Sequence, residues 1–168
     1  MSTQSFKQLL KGIVPDHLLY NYYKRRRQHH LVPYGELFFE VHLAEHCNLN
    51  CAGCNHFSPL AEPEFTDPAT LDKDFARLAS LFGEKMSHIN LLGGEPLLHP
   101  SLNECMQIAR RHFPKTRITL VTNGLLLTRQ KDEFWQTCRE NQITIQVTRY
   151  PIKLDFDQML ENSSRKLG

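Results

Sequence analysis

What this sequence has little of narrows its possibilities first. No stretch approaches the ~20 consecutive apolar residues that a membrane-spanning helix requires, and the opening Met1-Ser2-Thr3-Gln4-Ser5-Phe6-Lys7 carries no hydrophobic signal segment before the break at Pro15 and Asp16. Charge of one sign is not in excess. Twenty Lys plus Arg stand against 18 Asp plus Glu, a net +2, so nothing draws the chain as a whole toward nucleic acid or a membrane surface. Cysteines number only five, an odd count, and without a signal segment they are expected to be reduced in the cytoplasm rather than paired in a disulfide framework. The 168 residues suffice for one domain with a substantial core.

Residues 1–35 are expected to form a helical, basic lead-in. Phe6, Leu9, Leu10 and Ile13, then Leu18, Leu19, Tyr22 and Tyr23, recur at helical spacing ahead of the run Lys24-Arg25-Arg26-Arg27-Gln28-His29-His30. That run reads as a solvated helix face. From residue 36 to 168 strand patterns alternate with amphipathic helices, the mark of a parallel α/β sheet.

Four strand-helix units are visible. The first strand, about 37–43, leads into a cysteine-bearing loop, and its helix starts at Asp67-Pro68, a capping residue followed by one suited to the first helical position. A second strand, about 88–92, ends in Gly93-Gly94-Glu95-Pro96, and its helix places Leu102, Cys105, Met106, Ala109 and Phe113 on one face. The third, 118–122, turns at Asn123-Gly124 into a helix through Phe134, Trp135 and Cys138. The fourth, 143–148, is followed by Arg149-Tyr150-Pro151 and a helical start near 155–160. Cys105 and Cys138 therefore read as small core residues.

Alternation divides the strands into faces. Leu37, Phe39, Val41 and Leu43 oppose Glu40 and His42, and Ile143, Ile145 and Val147 oppose Gln146 and Thr148. If the apolar rows meet the helices, Glu40, His42, Gln146 and Thr148 are expected to line one cavity on the other face. Each unusual turn follows the carboxyl end of a strand, the edge at which parallel α/β folds place their sites.

The remaining cysteines, Cys47, Cys51 and Cys54, stand together in Cys-Asn-Leu-Asn-Cys-Ala-Gly-Cys. A structural zinc site would take a fourth ligand from His42, His46 or His56. A closed iron–sulfur cluster would want a fourth cysteine on a reachable loop, and Cys105 and Cys138 lie on core faces. Three thiolates alone hold a centre with one position open. Gly93 and Gly94 permit close backbone approach to a ligand, and Glu95 adds an acceptor suited to an ammonium group.

Cys47-x3-Cys51-x2-Cys54 after a first strand, with Gly93-Gly94-Glu95-Pro96 after a second, resembles the radical S-adenosylmethionine superfamily over about residues 36–160. The resemblance implies a partial (β/α) barrel, with a [4Fe-4S] cluster held by Cys47, Cys51 and Cys54 and S-adenosylmethionine chelated to the fourth iron. It further implies that Gly93, Gly94 and Glu95 hold the methionine amino group, that Thr148 and Asn123 contact the ligand, and that a 5′-deoxyadenosyl radical takes hydrogen from a substrate the sequence does not name. No catalytic residue beyond the cluster is assigned. A reductant such as flavodoxin or ferredoxin is the implied partner. Gly53 stands where the family often has an aromatic residue beside the adenine, which turns attention to Phe57. A full family core has six units, so the chain is expected to be incomplete at its carboxyl end. The rival readings are an activating component of a glycyl-radical enzyme and a non-catalytic iron–sulfur or zinc module.

Overall fold

The computed structural model describes residues 37–152 and 154–168, and the lead-in expected over 1–35 lies outside them. Four parallel strands form one sheet in sequence order: β1 (Leu37–Ala44), β2 (Met86–Gly93), β3 (Arg117–Thr122) and β4 (Ile143–Val147). Four α-helices follow them in turn: α1 (Pro68–Phe82), α2 (Leu102–His112), α3 (Asp132–Glu140) and α4 (Phe156–Leu167). This is the expected α/β arrangement of a partial barrel. Each strand lies beside its sequence neighbour, and the register pairs Glu40 with Asn90, Leu91 with Leu120 and Leu120 with Ile145.

Local chemistry explains the helix starts. The Asp67 carboxylate accepts from the Thr70 amide at 2.9 Å, with Pro68 in the first turn, so α1 begins where its orphan N–H groups find an acceptor. Asp155 caps α4 in the same way through Gln158, and that helix runs on to Leu167, beyond the start visible in the sequence.

The core lies on one face of the sheet. Leu43, Ile89, Leu91, Ile118 and Leu120 meet Phe75, Met106, Phe113, Phe134 and Trp135 from the helices, and Leu37, Phe39, Val41, Ile145 and Val147 pack at its margin. Phe75 and Phe113 join α1 to the end of α2 edge to face, 5.5 Å apart. Cys105 and Cys138 are buried in this core, and burial, the largest influence on each, pushes both thiols up to about 12. A thiol of that kind is a packing group, not a ligand.

Arg110 closes the helix layer. Its guanidinium donates to the carbonyls of Phe113, Pro114 and Thr116 beyond α2, and to those of Asn141 and Gln142 at the turn into β4, at 2.7–3.2 Å. One planar cation thus satisfies carbonyls that two chain segments would otherwise leave unpaired.

Candidate metal centre and ligand cavity

The cysteine loop is an excursion clamped at its ends by backbone bonds. On return the chain lies antiparallel to the end of β1, with Glu45 N–H donating to Glu64 C=O and Thr66 N–H to Leu43 C=O, both at 3.0 Å. On its other side Gly94 N–H donates to Ala44 C=O and Glu95 N–H to His46 C=O at 2.9 Å. Two glycines make that second seam possible. Gly93 has φ of +142°, and a Cβ there would overlap the Ala44 carbonyl oxygen, while a Cβ on Gly94 would overlap that of His46. The glycine pair therefore serves first to let the loop seat on the end of β2.

Inside the clamp lies a cavity of about 320 Å³ at the carboxyl edge of the sheet. Cys47, Cys51 and Cys54 line it together with Gly93, Gly94, Asn123 and Thr148, so seven of the residues singled out in the sequence share one enclosure. Its volume is within the usual range for small-molecule sites.

The thiols are partly exposed, and their surroundings differ. Cys47 is pushed up, chiefly by burial, with the Glu95 and Cys51 charges adding to the rise and the Leu49 amide opposing it. For Cys54 burial also acts upward, but the amides of Ser58 and His56, the Ser58 hydroxyl and the Phe57 amide together outweigh it and hold the thiol below its ordinary value. Among the described residues the buried Ser58 hydroxyl finds no hydrogen-bond partner of good geometry.

Glu95 lies behind the cavity wall. It is fully buried and does not line the cavity. Its Oε1 accepts from the Thr122 hydroxyl at 2.6 Å and the Leu97 amide at 3.0 Å, and its Oε2 from the Asn123 amide at 2.9 Å. The carboxylate thereby caps the short 3₁₀ turn Pro96–Leu98 and ties the end of β2 to the end of β3. Burial, its largest influence, holds the carboxyl above the ordinary glutamate value against these three donors.

Asn123 also works through the protein. Its side-chain amide donates to Asn48 Oδ1 at 2.7 Å and stands 3.9 Å from Cys47 Sγ, and its Oδ1 accepts from Leu125 N–H at 3.0 Å. It braces the cysteine loop against β3. Thr148 is held by its amide, which donates to Thr122 C=O at 2.9 Å, and the residue lines the cavity.

Glu40, His42 and Gln146 occupy the face away from the helix-packed core, and of that predicted group Thr148 alone lines the cavity. Glu40 instead accepts from Asn90 at 3.3 Å partway down the sheet. Phe57 is 69% exposed and is not part of the cavity wall. Tyr150 is, and sequence reasoning missed it as a site residue. Burial raises its phenol, and the charges of Cys51, Cys47, Cys54 and Glu95 raise it further, as its place on the same cavity wall as the three thiols requires. The signal was its place two residues beyond Thr148, in a turn at the functional edge.

Among the described residues no group of three His, Cys, Asp or Glu is gathered closely enough to hold one metal ion. A zinc ion with Zn–S bonds of about 2.3 Å would draw its thiolates to within about 4 Å of one another. Three thiols on one cavity wall also suit a cube whose irons take one sulfur at each corner.

Comparison with known proteins agrees with this geometry. GTP 3′,8-cyclase of Chlorobaculum tepidum is 34% identical over 95 residues, covering 56% of this chain and 28% of that protein. The antilisterial bacteriocin subtilosin biosynthesis protein AlbA of Bacillus subtilis is 28% identical over 101 residues, covering 60% of this chain and 21% of that one. The chain thus spans under a third of the length of these relatives. Among solved structures, BtrN in complex with AdoMet and 2-DOIA matches with a TM-score of 0.59 and 26% identity over 77% of this chain and 54% of that one. AdoMet-bound anSMEcpe shares the fold at a TM-score of 0.56 and 20% identity, over 78% of this chain and 40% of its own. A family model for the radical SAM superfamily matches residues 41–156, which embraces the cysteine loop, the glycine turn and all of β2 to β4, and the chain belongs to that superfamily.

Proposed function

We propose that this chain binds a [4Fe-4S] cluster through Cys47, Cys51 and Cys54 and S-adenosylmethionine in the cavity beside it, as the core of a radical enzyme. The observation that carries the proposal is the enclosure itself: three thiols from one loop, the Gly93-Gly94 turn, Asn123 and Thr148 around a single space. When bound and reduced by a donor such as flavodoxin or ferredoxin, the pair of cofactors supplies a 5′-deoxyadenosyl radical for hydrogen abstraction.

The chain's own residues prepare that chemistry by position. The loop presents its three sulfurs because both its ends are pinned to the sheet by backbone bonds. Glu95 holds β2 and β3 at the spacing that sets the cavity's width, and Asn123 keeps Cys47 from swinging outward. Glu95 remains close enough to the wall for its charge to reach Cys47 and Tyr150. Its carboxylate therefore acts on the cavity by position and charge, from behind the wall. Leu49, Ala52, Leu92 and Val121 give the cavity an apolar lining that keeps water few.

Anaerobic reconstitution tests the reading. The chain is expected to take up about four irons and, once reduced, to release 5′-deoxyadenosine from S-adenosylmethionine. Replacing Cys47, Cys51 or Cys54 by Ala is expected to abolish iron uptake with the helical circular dichroism intact. Zinc as the sole metal in protein prepared with iron would refute it. The named relatives are a nucleotide cyclase and a peptide-bacteriocin biosynthesis protein, so the substrate is left open between such classes.

A further inference from the structure

The residues flanking the cluster loop contain a hydrogen-bonded chain that the cofactor-binding reading does not use. His42 lies near the end of β1, on the face away from the helices, and its Nδ1 is 3.3 Å from Glu45 Oε1. On the other side of the same ring, His42 Nε2 is 3.1 Å from Nδ1 of His56, fourteen residues later. The two imidazoles meet edge to face, 4.8 Å between centroids. His56 belongs to the cysteine loop and lines the cavity.

The direction of each bond follows from chemistry. A carboxylate only accepts, so His42 Nδ1 carries the proton it donates to Glu45. In the neutral ring that leaves His42 Nε2 with a lone pair, and the hydrogen between the rings must come from His56 Nδ1. The neutral His56 ring is then left with its lone pair on Nε2, for which the described residues offer no partner. A carboxylate setting an imidazole's tautomer through its far nitrogen is the device that orients histidine at metal and catalytic sites. Here it is extended by one ring, from a strand into a ligand cavity.

We propose that Glu45 and His42 fix His56 as a hydrogen-bond acceptor for a hydroxyl or ammonium group of S-adenosylmethionine, making His56 a binding residue and the other two positioning residues. The inference rests on the functional reading above, because it places that ligand in the cavity. The competing explanation is that the pair of rings only pins the loop to β1. Two substitutions separate them. His56→Asn keeps a donor near the Nδ1 position, and with it the pin, but offers nothing at Nε2. His56→Gln does the reverse, carrying an acceptor oxygen near the Nε2 position.

The measurement is anaerobic calorimetric titration of the reconstituted full chain with S-adenosylmethionine, with iron content and visible absorbance as the check on the cluster. His56→Asn is expected to weaken binding about tenfold, the worth of one hydrogen bond to a polar ligand, at unchanged iron content. His56→Gln is expected to stay within about threefold of wild type. His42→Phe is expected to weaken binding in wild type but to add nothing in the His56→Asn background, since the two act as one unit. Wild-type affinity in His56→Asn, or equal losses in Asn and Gln variants, would overturn the proposal and leave the functional reading intact. A wild-type chain that assembles no cluster, or assembles one and binds no S-adenosylmethionine, overturns both.

Discussion

Removing the Glu95 carboxylate tests whether that residue is foremost a structural clasp. In Glu95→Ala the Thr122 hydroxyl and the amides of Leu97 and Asn123 lose their acceptor at once, in a place water does not reach. Each orphaned buried donor costs about 1–3 kcal/mol. The three are coupled and local relaxation recovers part, so a net loss of about 4 kcal/mol is expected out of the ~5–15 kcal/mol that holds a domain of this size. With a urea slope of about 1.5 kcal/mol per molar, the midpoint should fall by about 2.5 M at constant slope. Glu95→Gln keeps one acceptor oxygen but sets an amide against the Asn123 N–H, so one donor is stranded and the expected loss is about 1–2 kcal/mol. The pH dependence has a definite sign. Burial holds the folded carboxyl above its ordinary value, so the folded state binds its proton more tightly than the unfolded chain does. Wild type therefore gains stability relative to Glu95→Gln as pH falls through the folded value toward the ordinary one. The assay is urea unfolding of the cluster-free protein followed by circular dichroism. A Glu95→Ala midpoint within about 0.5 M of wild type, less than ~1 kcal/mol at that slope, would refute the clasp.

Three further outcomes follow from the geometry. Gly94→Ala forces a methyl group onto the His46 carbonyl oxygen, so it is expected to unseat the cysteine loop and abolish iron uptake, whereas Gly53→Ala meets no neighbouring atom and pays only for its φ of +73°. Iron content after reconstitution distinguishes the two. Arg110→Lys replaces a fork that reaches five carbonyls by a single ammonium, with an expected loss of about 1–3 kcal/mol in urea unfolding. Hydrogen bonds from His112 at 2.5 Å and Arg111 at 2.6 Å hold the Asp72 carboxyl below its ordinary value. The stability difference between wild type and Asp72→Asn should therefore be present above the ordinary Asp value and vanish as pH falls through the folded one, as thermal melts across acidic pH would show.

The parts legible in the sequence were those that depend on short-range periodicity. The switch from helical spacing to alternation located all four strands within two residues of their ends, and the same periodicity put Cys105 and Cys138 in the core. Period two also assigns Glu40, His42 and Gln146 to the correct face. It does not say how far along a strand a ligand sits, and the cavity lies at the strand ends, past those residues. Glu95 shows a different limit. The sequence displays an acidic group after two glycines, but the conformation of Gly93 and the turn at Pro96 aim the side chain inward beneath the sheet edge. The pairing of His42 with His56 depends on how a long loop folds back, information that no local pattern contains.

Among the described residues the core comes from strands, helices, the 3₁₀ turns beside them and Phe113 just past α2, and none of it from the segment between Cys47 and Phe57. The apolar burial that stabilises the scaffold is thus built without the cysteine loop. Folding of the scaffold is thereby uncoupled from whatever the loop binds.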